Sequence, residues 1–144
     1  MHHVYLSLGS NMGNRKWNIR HAVERIGQLI GPVGCQSSLY ETKPWGFESP
    51  NDFINACVSC STKLSPRQTL KATQQIEREL GRVRKTKDGM YEDRIIDVDI
   101  LLYDDLSVNE PDLKIPHPLM EERDFVMKPL QEVLKKERDG APTA

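Results

Sequence analysis

Cysteine is scarce, three in 144 residues, and an odd, small number of thiols cannot staple a secreted fold. Reduced thiols in a cytoplasmic protein are the expectation. No stretch approaches the roughly 18 apolar residues of a membrane span. The opening run Val4-Tyr5-Leu6-Ser7-Leu8 is too short and too broken by polar residues for a signal-peptide core, so no membrane partner is expected. Neither sign of charge is in excess: 20 Lys and Arg stand against 21 Asp and Glu, a formal net charge of −1. Proteins that hold long nucleic acid through its phosphates carry a basic surplus, and its lack argues against a nucleic-acid partner. The G-x-x-x-x-G-K-[ST] loop is missing, which excludes a P-loop enzyme. Aromatic residues make up only 6%, without the aromatic-rich central strand of sheet-based RNA-binding modules. Repeats and low-complexity linkers are missing as well, and the length suits one domain over residues 1–144, with room for a single core.

What is present reads as alternating strands and helices. Val4, Leu6 and Leu8 keep the period of a half-buried strand, which the loop Gly9-Ser10-Asn11-Met12-Gly13-Asn14 breaks. From about Arg15 the residues Ile19, Ala22, Val23, Ile26, Leu29 and Ile30 draw one helical stripe, ended by Gly31-Pro32. A strand is expected over about Cys35 to Thr42, a loop over Lys43 to Pro50, and another strand over about Asp52 to Leu64. Ser65-Pro66-Arg67-Gln68 is a helix start with a Ser cap, Pro at the first position and Gln three residues on. Leu70, Thr73, Ile76 and Leu80 form that helix's inner stripe, with Gly81 as its stop. A polar stretch follows, Arg82 to Asp93, and then the strongest strand, Arg94 to Tyr103. Weak strands over Leu106 to Asn109 and Leu113 to Ile115, short helical material from Leu119 and a tail fraying from about Lys135 complete the chain. The order β-α-β-β-α-β predicts an α+β fold of ferredoxin-like type, two helices on one face of a mainly antiparallel sheet with extra C-terminal elements.

Residues two apart on a strand share a face. In Ile95-Ile96-Asp97-Val98-Asp99-Ile100-Leu101-Leu102, Ile96, Val98, Ile100 and Leu102 therefore point one way, towards the helices, while Asp97 and Asp99 point the other. Two neighbouring carboxylates on an apolar strand repel each other and resist desolvation unless a cation compensates them. Mg²⁺ takes one or two carboxylates together with substrate phosphates, and two metals can clamp a phosphoryl group. Arg82, Arg84 and Arg94 bracket the pair, with Lys85 and Lys87 in the same loop. Arginine presents a planar fork to phosphate oxygens. On the residues alone three readings stand: a phosphoryl-transfer or phosphodiester enzyme, a polar sheet face that simply meets solvent, and a ferredoxin-like binding module. Cys57-Val58-Ser59-Cys60 matches C-x-x-C, but positions three apart on a strand face opposite ways and cannot share a metal or a disulfide. Core thiols are the expectation there.

Five segments, in order, narrow the choice: Leu8-Gly9-Ser10-Asn11-Met12-Gly13, Phe53-Ile54-Asn55-Ala56, Gly81-Arg82-Val83-Arg84-Lys85, Arg94-Ile95-Ile96-Asp97-Val98-Asp99-Ile100 and Ile115-Pro116-His117-Pro118. Together they resemble the 6-hydroxymethyl-7,8-dihydropterin pyrophosphokinases, from Leu8 to about Leu130. The resemblance implies transfer of pyrophosphate from Mg-ATP to the hydroxymethyl group of a pterin alcohol, with release of AMP, in folate synthesis. It implies Asp97 and Asp99 as holders of two Mg²⁺ ions, and Arg84 and Arg94 as catalytic partners of the pair. ATP would be met by Gln74, Glu77, Arg82, Arg84, Arg94, Ile100, Lys114, His117 and Arg123. The pterin would lie between Phe53 and Phe125, read by Asn55, with Thr42, Lys43, Pro44, Trp45, Gly46 and Tyr91 around it. The stretch Arg82 to Asp93, with Gly89 near its middle, would be a lid over both substrates. The chain departs from the family where Lys43 replaces a small residue or proline, where Tyr91 and Asp93 stand for an indole and a proline, and where Pro118 follows His117. Between Arg84 and Arg94 the loop is longer than in the family's better-known members, and the chain lacks the longer C-terminal tail that some members carry. A monomer or small homo-oligomer is expected.

Overall fold

The computed structural model describes residues 1–43, 51–81 and 95–140. β1 (His2–Ser10) leads into α1 (Arg15–Leu29). Asn14 caps α1, its side chain accepting the Trp17 amide at 3.1 Å. Two short strands, β2 (Val33–Gln36) and β3 (Tyr40–Thr42), precede the long β4 (Phe53–Thr62). α2 (Pro66–Glu79) opens with the predicted capping box, in which Ser65 and Gln68 exchange backbone and side-chain hydrogen bonds. β5 (Asp97–Tyr103), the hairpin β6 (Val108–Glu110) and β7 (Leu113–Ile115), a 3-10 turn (Met120–Glu122) and α3 (Asp124–Arg138) follow.

The main sheet runs β2-β4-β1-β5, with β3 also paired to β4, and each of these pairings is antiparallel. That order is the ferredoxin-like one predicted from the element sequence. One sheet face meets α1 and α2: Val4, Leu6, Leu8, Ile54, Ala56, Val58, Ile96, Val98 and Ile100 pack with Ile19, Ala22, Ile26 and Ile76. The opposite face carries a smaller core, Cys35, Cys57 and Leu101 under Val126, Leu130 and Val133 of α3.

Several expected boundaries move, each for a local reason. The strand expected over Cys35 to Thr42 is two strands. Ser37 still bonds to Cys57, through its amide to the Cys57 carbonyl and through its hydroxyl from the Cys57 amide, both at 2.9 Å. At Ser38 the amide turns instead to Glu132 of α3, at 2.8 Å. β4 ends at Thr62 rather than Leu64, because the Thr62 hydroxyl accepts the Leu64 amide at 3.0 Å and turns the chain. The C-terminal helical material is not short, and it does not fray from Lys135. α3 has 15 residues, and beyond Lys135 the Lys136 ammonium donates to the Gln36 carbonyl at 2.9 Å while Glu137 takes the Tyr5 hydroxyl and pairs with His3.

Leu102 does not share a face with Ile100. The β1–β5 register passes from Leu6↔Ile100 to Tyr5↔Leu102, leaving Leu101 as an extra residue. Such a bulge reverses the alternation beyond it, so Leu101 and Leu102 both join the core under α3. Tyr103 returns to the other face. The C-x-x-C thiols sit as predicted on opposite faces, Cys57 under α3 and Cys60 in the core below α1 and α2. All three cysteines are free and buried, and burial pushes the Cys60 thiol up to about 12.

Candidate active site

Strand register assembles the floor of the site. β1 is flanked by β4 and β5, and its residue Gly9 lies opposite Asn55 on one side and Asp97 on the other. Ser7 likewise lies between Cys57 and Asp99. Both rows belong to the face that α3 covers only in part. α3 seals Cys57 and Leu101, and beyond its first turn the floor opens into a cleft of about 590 Å³, open solvent included. Ser7, Gly9, Asn55, Asp97 and Asp99 line the floor, with Thr42, Lys43 and Phe53 at one wall and His117, Arg123, Phe125 and Val126 at the other.

At the first wall Asn55 is 3% exposed, and its amide Nδ2 donates to the Thr42 hydroxyl at 2.6 Å. Its Oδ1 is turned over Gly9, where a Cβ would come within 3.2 Å of it and within 3.6 Å of the Phe53 ring. Only glycine leaves this corner of the floor open. Phe53 from β4 and Phe125 from α3 are both half-buried at the cleft. They supply flat apolar faces beside an amide that can tell donors from acceptors.

At the other wall the loop after β7 is pinned by the His117 amide, which donates to the Leu101 carbonyl at 3.0 Å. The Leu119 amide donates to His117 Nδ1, at 3.5 Å, so in the neutral ring the proton sits on Nε2. Burial holds the imidazole below its usual pKa, and the Arg123 charge adds to this while Asp97 opposes it. Arg123 is itself buried, with its guanidinium 5.7 Å from the Phe125 ring centre. Among the described residues no group of three or more His, Cys, Asp or Glu is arranged to hold a metal on its own. Two half-exposed carboxylates at an open cleft instead suit an ion that completes its shell with substrate oxygens and water, the habit of Mg²⁺.

The cleft therefore brings together Thr42, Lys43, Phe53, Asn55, Asp97, Asp99, His117, Arg123 and Phe125 from the predicted set. It does not bring in four others. Glu77, 8% exposed, accepts the Val98 amide at 2.9 Å on the side of β5 away from β1, and so holds the strand between the two aspartates. Gln74 lies along a shallow groove with Lys71 and Arg78. The Ile100 side chain is in the core, and Lys114 is exposed on β7, its ammonium 3.0 Å from Asn109 Oδ1. Pro44, Trp45, Gly46, Arg82, Arg84, Tyr91 and Arg94, and the expected lid, lie outside the described residues. Sequence reasoning missed Ser7 and Gly9. The signal was there: if Leu6 and Leu8 face the helices, the small residues between and beside them must face the aspartates.

Comparison with known proteins shows the family of the chain. The family model for 7,8-dihydro-6-hydroxymethylpterin-pyrophosphokinase (HPPK) matches residues 5–135. The 2-amino-4-hydroxy-6-hydroxymethyldihydropteridine pyrophosphokinase of Porphyromonas gingivalis is 48% identical over 141 residues, 97% of this chain and 96% of the relative. That of Bacillus subtilis is 41% identical over 142 residues, 98% of this chain and 83% of the relative. A solved structure of an HPPK-DHPS in complex with substrates superposes with a TM-score of 0.74 at 13% identity, covering 92% of this chain and 40% of that one. The last likeness is one of fold.

Proposed function

Since the chain belongs to the 7,8-dihydro-6-hydroxymethylpterin-pyrophosphokinase family and is a pyrophosphokinase of folate biosynthesis, we infer that its cleft holds ATP and the pterin alcohol side by side and joins them at Asp97 and Asp99. One observation carries the reading: Asn55, Gly9 and Asp97 form a single row across three strands. Two inter-strand steps span about 10 Å, comparable with a two-ring heterocycle and its one-carbon arm. A pterin gripped at Asn55 would thus deliver its hydroxymethyl oxygen beside the carboxylates.

In the reaction this oxygen bonds to the β-phosphorus of ATP, the bond from that phosphorus to the α,β-bridging oxygen breaks, and the hydroxyl proton is released as AMP departs. Asp97 and Asp99 would hold two Mg²⁺ ions, which when bound supply the positive charge that phosphoryl transfer requires. Phe53 and Phe125 enclose the rings between them, and Asn55 fixes which polar edge faces the floor. His117, kept neutral with its proton on Nε2, offers a donor to a phosphate oxygen without needing to ionise. Arg123 sets a permanent charge at the same wall. Nucleotide contacts by Gln74, Glu77, Arg82, Arg84, Arg94, Ile100 and Lys114, and pterin contacts by Lys43, Pro44, Trp45, Gly46 and Tyr91, belong to this proposal on the strength of the family likeness. For Ile100 the contact would come from its backbone. Val98 turns its amide away from β1, and strand alternation sets the Ile100 amide on the same side.

Three free thiols, all buried, suit a reducing cytoplasm, which we propose as the setting, with the enzyme a monomer or small homo-oligomer. Among the described residues no helix is long and apolar enough to cross a membrane. The test is AMP formation from ATP and 6-hydroxymethyl-7,8-dihydropterin followed against magnesium concentration. AMP and pterin diphosphate should accumulate one to one. Formation of ADP in place of AMP would overturn the reading.

A further inference from the structure

Arg15, the first residue of α1, sends its side chain back across the sheet edge rather than along its own helix. Its Nη1 donates to the Asp52 carbonyl at 2.8 Å and lies 2.9 Å from Glu41 Oε2. Both acceptors lie where β3 leaves the ladder and β4 enters it. Glu41 is paired with Ile54 and Thr42 with Phe53. Beside this grip Asn11, 2% exposed, donates to the Asn51 carbonyl at 3.2 Å.

β3 has only three residues and, among the described residues, pairs with β4 alone. A strand so short, held on one side, draws little of its position from its own ladder. Yet its last residue, Thr42, takes the Asn55 amide at 2.6 Å and so sets which atoms of that amide face the cleft. An exposed Arg–Glu pair contributes little to stability by itself. Here the same nitrogen also donates to the backbone carbonyl just before the neighbouring strand, which ties the two strand ends together.

We propose that Arg15 is a positioning residue for the pterin end of the cleft: by clamping Glu41 to Asp52 it holds Thr42 and Phe53 where Asn55 and the pterin ring need them. The inference rests on the reading of Phe53 and Asn55 as the pterin subsite. It assigns Arg15 no contact with either substrate.

Three variants test it by steady-state kinetics with each substrate varied in turn. Arg15→Met keeps the apolar stem and removes the donors. It should raise KM for the pterin about tenfold, the effect of losing one charge-assisted hydrogen bond, and leave KM for ATP and kcat within about twofold. Arg15→Lys, which keeps several hydrogens on one charged nitrogen, should restore most of the pterin KM. Glu41→Ala should move the pterin KM in the same direction by less. Asn55→Ala is measured alongside. If Asn55→Ala raises the pterin KM and Arg15→Met does not, or if Arg15→Met raises both KM values alike, the inference is wrong and the subsite stands. An unchanged pterin KM in Asn55→Ala overturns the subsite, and the inference with it.

Discussion

At the scale of single residues, the proposed site can be tested at four positions. Asp97→Asn and Asp99→Asn each remove one oxygen ligand and one charge. Turnover should fall by about 10³-fold or more, because charge neutralisation at the phosphates is the dominant contribution to this chemistry. A variant with near-normal turnover would remove the pair from the mechanism. Gly9→Ala places a methyl group 3.2 Å from Asn55 Oδ1. It should weaken pterin binding, measured by calorimetry, while ATP binding holds. His117 has its pKa pushed below the usual 6.5 by burial first and by Arg123 second. As pH falls through that value the unfolded chain takes up the proton before the folded one, so protonation works against the fold. Stability should rise with pH up to about 6.5 on account of this ring and then level. Denaturant titrations of His117→Gln across the window should show a shallower slope.

At the scale of elements, α3 is where sequence and structure part most. Its attachment runs through polar groups whose partners lie far away in the chain: Glu132 takes the Tyr40 hydroxyl at 2.6 Å and the Ser38 amide at 2.8 Å. Nothing in a linear pattern announces such contacts, and Pro129 inside the helix argues locally against its length. Burial pulls the Glu132 carboxyl upward, but the hydrogen bonds from Tyr40, Lys136 and Ser38 outweigh it and hold the group down to about 2, against an ordinary 4.5. The stability it contributes is whole above about 4.5 and is lost as pH falls towards 2. Glu132→Gln should therefore cost about 1–2 kcal/mol at neutral pH and little at pH near 2, by urea titration at both. The other elements were legible where one period ruled. The helical stripe of α1, the capping box of α2 and the alternation Asp97-Val98-Asp99 all carry their outcome locally. The bulge at Leu101 did not, because Leu101 and Leu102 are equally apolar and a slip between them leaves no trace in the hydropathy. The five ordered segments could not tell that Glu77 also accepts the Val98 amide.

At the scale of the whole molecule, one sheet separates two kinds of packing. The face under α1 and α2 is closed tightly, as Gly31 attests: a Cβ there would stand 1.8 Å from the Ser61 carbonyl oxygen, where the turn after α1 presses on the end of β4. Gly31→Ala should destabilise the entire domain by about 3 kcal/mol without altering substrate KM in whatever fraction folds, a combination that melting curves and kinetics together would reveal. The other face is closed under most of α3 and open beyond it. Along β4 and β5, then, neighbouring residues answer to different selective demands. In a saturation mutagenesis library scored once for abundance and once for folate-dependent growth, Ile96, Val98 and Ile100 should be intolerant in both screens, while Asp97 and Asp99 should be tolerant for abundance and intolerant for growth. That two-residue rhythm should slip by one at Leu101, so that a single structural irregularity would be readable as a change of phase in a table of fitness scores.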